Sequence, residues 1–234
     1  MNKIACLVLA AGMLIWAVDA AVFFRIPLLS GFAMVSGNAG DGLQSVYVHE
    51  HLYQWLLGRA AFGSPPIYYP QPHVLGYSDA YPLDLPLYAG LRLFGLDPFL
   101  SDQLMLVALS LLCFWCAWHL LSKHARIGPY IALGAAALIA FPNDLFLKAN
   151  LGHLNAFALY YIAPIAAIAA SGLRKFPRIT PGGAALIVSA SALYALLFST
   201  RYYLAWMFAL TVLIAGVYSG LTLRQRIMPW AVSN

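Results

Sequence analysis

Charge is what this 234-residue sequence has least of: charged residues make up 9% of it, against 62% hydrophobic. An ordinary soluble domain carries roughly 25% charge, so this chain lacks the material to clothe a water-facing surface. Disorder, collagen and a coiled coil are excluded by the same composition. Thirteen Lys and Arg residues leave a net charge of +5, too few and too scattered for a nucleic-acid-binding face. Cysteine is nearly absent as well. Cys6, Cys113 and Cys116 all fall in apolar runs, so no disulfide framework is implied. The Cys113-x-x-Cys116 spacing lies inside the run 104–121 and reads as two small residues at helical spacing, not as a redox or zinc pair. There is no internal repeat, no Gly-rich phosphate loop and no Rossmann fingerprint, which argues against a cytosolic nucleotide-sugar site.

What remains is apolar sequence, with a mean hydropathy of +0.78. A membrane-spanning helix needs about 20 mostly apolar residues. Six segments are predicted as spans: 4–24, 104–121, 129–141, 154–170, 184–198 and 202–218. Asp97-Pro98 reads as the start of the second helix, and Pro142 as the stop or bend of the short third one. An alternative for residues 1–20 is a cleaved signal peptide ending at Val18-Asp19-Ala20; the apolar run through 21–24 favours an uncleaved anchor. The expected fold is therefore an all-α polytopic transmembrane helical bundle, a single module over residues 1–234.

Orientation follows from the cations near the span ends. An N-terminus inside places Lys3, Lys123, Arg126, Arg174, Lys175, Arg178, Arg224 and Arg226 in the cytoplasm. Arg25, Arg59, Arg92, Lys148 and Arg201 then lie outside, and all eight acidic residues fall on or near that outer side. The chemistry is expected there.

The first outer loop, 25–97, holds five of the eight acids. A loop of that length is usually functional. Its parts are Gly40-Asp41-Gly42 leading into a helix over 43–58, a Pro- and Tyr-rich extended stretch over 64–79, and an apolar helix over 81–94. The first helix carries a stripe of Val46, Tyr47, Tyr53, Leu56 and Leu57, which suits a helix lying in the membrane interface. His49 and His51, two apart, point in different directions and read as solvated.

In order along the chain, Gly40-Asp41-Gly42-x-x-x-x-Tyr47, Tyr68-Tyr69-Pro70-x-x-His73, Gly76-Tyr77-Ser78-Asp79 and Leu151-Gly152-His153-Leu154-Asn155 resemble the membrane-embedded glycosyltransferases of the GT-C superfamily. The resemblance covers roughly residues 1–220. It implies transfer of a sugar from a polyprenyl-phosphate donor on the outer face of a bacterial inner membrane. Partners would be that lipid-linked donor and membrane lipids. In the superfamily an acid in the first outer loop acts as catalytic base or as metal or acceptor ligand, and Asp41 matches it. A divalent metal ion, if one is used, would fall to Asp41 and Asp79. Family members are usually longer, so a further C-terminal region or a partner subunit is expected.

Each residue also has a plainer role. Asp41, with Gln44 three residues on, fits a capping box. Asp79 is either a second carboxylate facing Asp41 or a turn residue bonded to its own backbone. Asp84 reads as a helix-start residue. Asp19, inside a span, is costly there, and is either a functional residue or one near enough the outer end to reach water by snorkelling. His153 and Tyr69 are candidate substrate-binding residues from the local match. Arg201 and Lys148 suit a lipid phosphate, although Arg201 beside Tyr202 and Tyr203 equally suits an interfacial anchor. His73 is open between the two kinds of role; His119 and His124 read as structural. Two other functions compete: a non-catalytic membrane module, and a transporter or flippase component. The second needs ionisable residues at mid-bilayer, and the five later spans carry almost none.

Overall fold

The computed structural model describes residues 3–34, 40–68, 70–77, 79–142, 154–174 and 180–232. Among them the elements are helices, with no strand. In chain order these are α1 (Lys3–Phe23), α2 (Arg25–Leu29), α3 (Asp41–Leu56), α4 (Leu85–Leu93), α5 (Pro98–His119), α6 (Pro129–Ala140), α7 (Ile162–Leu173), α8 (Pro181–Thr200) and α9 (Tyr202–Val232). Short 3₁₀ turns occupy Pro66–Tyr68 and Val74–Tyr77, and a longer one, Leu154–Tyr161, leads into α7. Helix α5 runs on through a π-helical turn at Leu120–His124.

Local chemistry explains the boundaries. The Asp97 carboxylate caps α5 by accepting from the backbone N–H groups of Phe99 and Leu100, with Pro98 at the first helical position. Thr180 and Pro181 start α8 in the same way, the Thr180 hydroxyl accepting from Gly183 N–H. Pro129 opens α6, which stops at Ala140, just before Pro142. Three helices are long and apolar enough to cross a membrane: Lys3–Phe23, Pro98–His124 and Pro181–Thr200. The other expected spans correspond to shorter apolar helices, Pro129–Ala140, Phe157–Leu173 and Tyr202–Tyr218.

Helix α5 is the hub. It packs against α1, α3, α4, α6 and α7, and buries Met105, Leu109, Cys113, Phe114 and Ala117. Cys113 and Cys116 are free thiols, the first in the core. By contrast α1 and α8 expose Leu7, Leu14, Val18, Val22 and Val188 outward, a surface that suits lipid and not water. A second, small core of Val48, Leu52, Leu75 and Tyr81 joins α3 to the loop that follows it. The stripe expected of α3 divides: Tyr47, Leu56 and Leu57 are exposed, while Val46 and Tyr53 are buried together with Ser45, Val48, His49 and Leu52, on the side that meets α4, α5 and the 79–84 segment.

Helices α7 and α8 cross closely at Gly172. A Cβ on Gly172 would sit 2.8 Å from the Gly183 carbonyl oxygen and 2.8 Å from Ile187 Cγ1. The backbone oxygen cannot swing aside, so the helices must part. Gly172→Ala is expected to destabilise the fold by about 1–3 kcal/mol, read as a lower melting temperature in detergent. Gly134→Ala, where nothing lies within 4 Å, should leave it unchanged or slightly higher.

Candidate functional site

Three ionisable residues, His49, Asp84 and Asp102, converge on one buried cluster. His49, on α3, points into the bundle with 3% of its side chain exposed. Its Nδ1 lies 2.7 Å from Asp102 Oδ1 on α5, and its Nε2 3.0 Å from Asp84 Oδ2 at the head of α4. Ionised carboxylates only accept, so both ring nitrogens donate, and only the imidazolium can do that. Burial alone lowers the imidazole pKa. The hydrogen bonds and charges of Asp102 and Asp84 outweigh it and raise the value to about 9. Burial likewise raises Asp84, but His49, Arg201 and the Tyr161 hydroxyl together hold it below the usual carboxylate range. That hydroxyl donates to Asp84 Oδ1 at 2.5 Å. The cluster thus ties α3, α4, α5 and the entry to α7.

Beside it, Arg201 at the α8–α9 junction is 3.0 Å from Asp79 Oδ2 and is itself buried. Its guanidinium stacks on the Tyr81 ring, 3.7 Å from the centroid. The Tyr81 ring in turn meets His49 edge-on at 4.8 Å. Burial raises the Asp79 pKa, partly offset by Arg201 and the Tyr202 backbone. Tyr81 has φ +56°, a left-handed conformation rare for an aromatic residue. It is held by its neighbours: Ala80 N–H donates to Ser199 O at 2.9 Å, and Leu83 N–H to Thr200 Oγ1 at 3.2 Å. On the outer side of α3, Glu50 accepts from Arg92, Tyr88 and Gln54, which fastens α4 to α3.

Three cavities border this region. A space of about 10 Å³, room for about one water, lies among Ser45, His49, Asp84, Asp102 and Arg201. An apolar groove of about 550 Å³ runs between α5, α7 and α8, past Leu112, Cys116 and Ile165, with Tyr161 in its wall. A more polar pocket of about 540 Å³ is lined by Gly63, Gly76, Asp79, Ser199 and Tyr202. Pro82 and Leu196 belong to both of the larger cavities, so the two adjoin.

Of the residues singled out from sequence, Asp79 and Arg201 are brought together, as an ion pair with each other. Arg201 is a buried residue and not an exposed interfacial anchor. Asp41 is the first residue of α3, and Gly40, not Asp41, takes the cap position; the Asp41 side chain lies outside what is described. Tyr69, Lys148 and His153 lie outside the described residues. Among the described residues no group of three or more His, Cys, Asp and Glu is arranged to hold a metal ion. Asp84 does begin α4, but its carboxylate caps nothing there; it goes to His49 and Tyr161.

His49 and His51 are not solvated. The first is in the cluster, and the second donates to the Ala61 and Phe62 carbonyls. Asp102, His49 and Tyr161 were missed as site residues. One signal was available for Asp102: an ionisable residue four places into a long apolar helix.

The cluster makes stability depend on pH. His49 titrates near 9 when folded and near 6.5 when unfolded. Its contribution is therefore complete below about pH 6.5 and is lost as the pH rises through about 9. The melting temperature should fall across that window. His49→Gln, which removes the cation between the two carboxylates, should cost about 3–5 kcal/mol and flatten the dependence. A wild-type melting temperature constant from pH 6 to 9.5 would sink this account.

Compared with known proteins, the chain matches no protein-family model, no curated protein and no solved structure.

Proposed function

We propose that this chain is a membrane glycosyltransferase module of the GT-C type, taking a sugar from a polyprenyl-phosphate donor at the outer face of a bacterial inner membrane. One observation carries the reading furthest: an apolar groove of about 550 Å³ adjoins a less apolar pocket of about 540 Å³, in which Asp79, Ser199 and Tyr202 stand among Phe62, Leu75 and Phe198. A lipid-linked sugar is amphipathic in the same way, a hydrocarbon chain ending in a phosphate and a polar ring. Charge supports the orientation. His49, Asp84, Asp102 and the Asp79–Arg201 pair gather at one end of the bundle, whereas Lys123, Arg126 and Arg174 belong to the opposite ends of α5 and α7. The basic end belongs in the cytoplasm, which leaves the acidic cluster outside.

In this reading Asp41 takes the proton of the acceptor hydroxyl while the acceptor oxygen bonds to the anomeric carbon and the polyprenyl phosphate leaves with the bonding pair. A divalent ion, if Asp41 and Asp79 held one, would supply Lewis-acid stabilisation of the leaving phosphate. A donor phosphate at Arg201 would compete with Asp79 for the guanidinium, which would make that pair a point of substrate-linked rearrangement. His153, Tyr69 and Lys148 would line the donor site, as the family resemblance implies.

A second reading, a non-catalytic membrane module that assembles with a partner, is favoured by a different observation. The His49 cluster is satisfied from within, each partner bonded to another side chain of the same chain.

Membranes containing the chain, incubated with a panel of radiolabelled polyprenyl-phosphate sugars, separate the two. Transfer to a lipid or polymer acceptor that drops about 10²–10⁴-fold in Asp41→Asn, with an unchanged melting temperature, is the expected result. Transfer that persists in Asp41→Asn removes the base from this position. No transfer with any donor from a well-folded chain selects the non-catalytic module.

A further inference from the structure

On the other side of the α5 hub, at the basic end, lies a cavity of about 400 Å³ that the transfer reading does not use. It runs between α1, the end of α5 and the start of α6, lined by Ile4, Val8, Leu9, Trp115, Trp118 and Lys123. Its wall is almost wholly carbon, with Ile4 and Leu9 more than half or about half exposed (58% and 50%). Helix α1 comes close to α5 because Gly12 has no side chain: a Cβ there would sit 2.6 Å from the Trp115 ring. The Trp118 indole N–H is fixed on the Pro129 carbonyl at 3.2 Å, and its ring meets Trp115 edge-on. Lys123 is exposed at the mouth.

The charge around that mouth is of one sign. Lys3 opens α1 next to Ile4, and Arg126 follows the π-helical turn. Beyond Asp102 the sequence has one acid, Asp144, and among the described residues no carboxylate pairs with Lys123. An anionic ligand would therefore meet no competing carboxylate of the described residues at this mouth. We infer that the groove binds one anionic glycerophospholipid, with an acyl chain along α1 and Trp115 and its phosphate on Lys123. Tryptophan rings sit where acyl chain gives way to headgroup, and basic pockets between helices on the cytoplasmic side bind anionic headgroups. A second copy of the chain is a poorer occupant. A two-fold contact here would set Lys3 and Lys123 against their own equivalents. This site is independent of whether the chain transfers sugar.

The test is native mass spectrometry of the full chain released from detergent with equimolar phosphatidylglycerol and phosphatidylcholine. Wild type should retain phosphatidylglycerol at least about fivefold over phosphatidylcholine. Lys123→Glu should bring the two to parity. Leu9→Trp, which fills the groove and leaves the charge alone, should reduce retention of both, and neither exposed substitution should move the melting temperature. Equal retention by wild type overturns the site. So does a preference that survives Lys123→Glu, or a groove occupied by a second copy, seen as a dimer mass that Leu9→Trp abolishes.

Discussion

A protonated imidazole between two carboxylates is the contact on which the architecture of the acidic end depends. Taking three ionisable groups out of water costs several kcal/mol per ion, so the arrangement is tolerable only with good geometry on every side. The distances of 2.7 and 3.0 Å from His49 to Asp102 and Asp84, and 2.5 Å from the Tyr161 hydroxyl to Asp84, supply it. Once these contacts form, the rotation of α3 about its axis is no longer free. Val48 and Leu52 go inward with His49, and Leu56 and Leu57 go outward. The strained Tyr81 backbone, at a cost of about 1–3 kcal/mol, follows from the same demand. Its ring must fill the space between Arg201 and His49 while the segment on either side is bonded to the end of α8.

This contact also explains what sequence could and could not convey. Helix ends were legible where a cap is local: Asp97-Pro98, the Pro129 start and the stop before Pro142 each act within four residues. The expected capping box at Asp41 fails by one position, since Gly40 holds the cap. The pairings that make the site are the opposite case. His49 and Asp102 are 53 residues apart, Asp84 and Tyr161 77, Leu83 and Thr200 117, and no periodicity reports a partner at such separations. Hydrophobic patterning actively misleads on α3. It counts His49 as polar and turns it outward, whereas the free energy of an ion pair in a low-dielectric interior turns it inward. His51 is misread for a related reason, because two backbone carbonyls of the following turn serve as its solvent.

The two ends of the bundle treat charge differently. At the acidic end the charges are paired inside: His49 with two aspartates, Arg201 with Asp79, Arg92 with Glu50. At the other end Lys123 and Arg126 are exposed, with no acid within reach in the sequence around them. A buried pair is insensitive to salt, and an exposed cation is screened within about 8 Å at physiological ionic strength. The first arrangement makes a rigid framework. The second makes a surface whose neutralisation depends on what surrounds it.

Rigidity at the acidic end bears on which group can do chemistry there. A general base must accept a proton near neutral pH. His49 already carries one and keeps it to about pH 9, and Asp84 is held below the usual carboxylate range by the donors around it. Neither is available without breaking the framework. Asp79 is pushed the other way by burial and is bound to Arg201, so it changes state only if that pair opens. Asp41, the base in the proposed reading, is eight residues before His49 on the same helix, about 12 Å along its axis. Two turns of unbroken helix connect it to the best-anchored residue of the acidic end. On the proposed reading the His49 cluster would act on chemistry at Asp41 by position alone, because it fixes where the N-terminus of α3 stands in the bundle, and preorganised position is what such chemistry draws on.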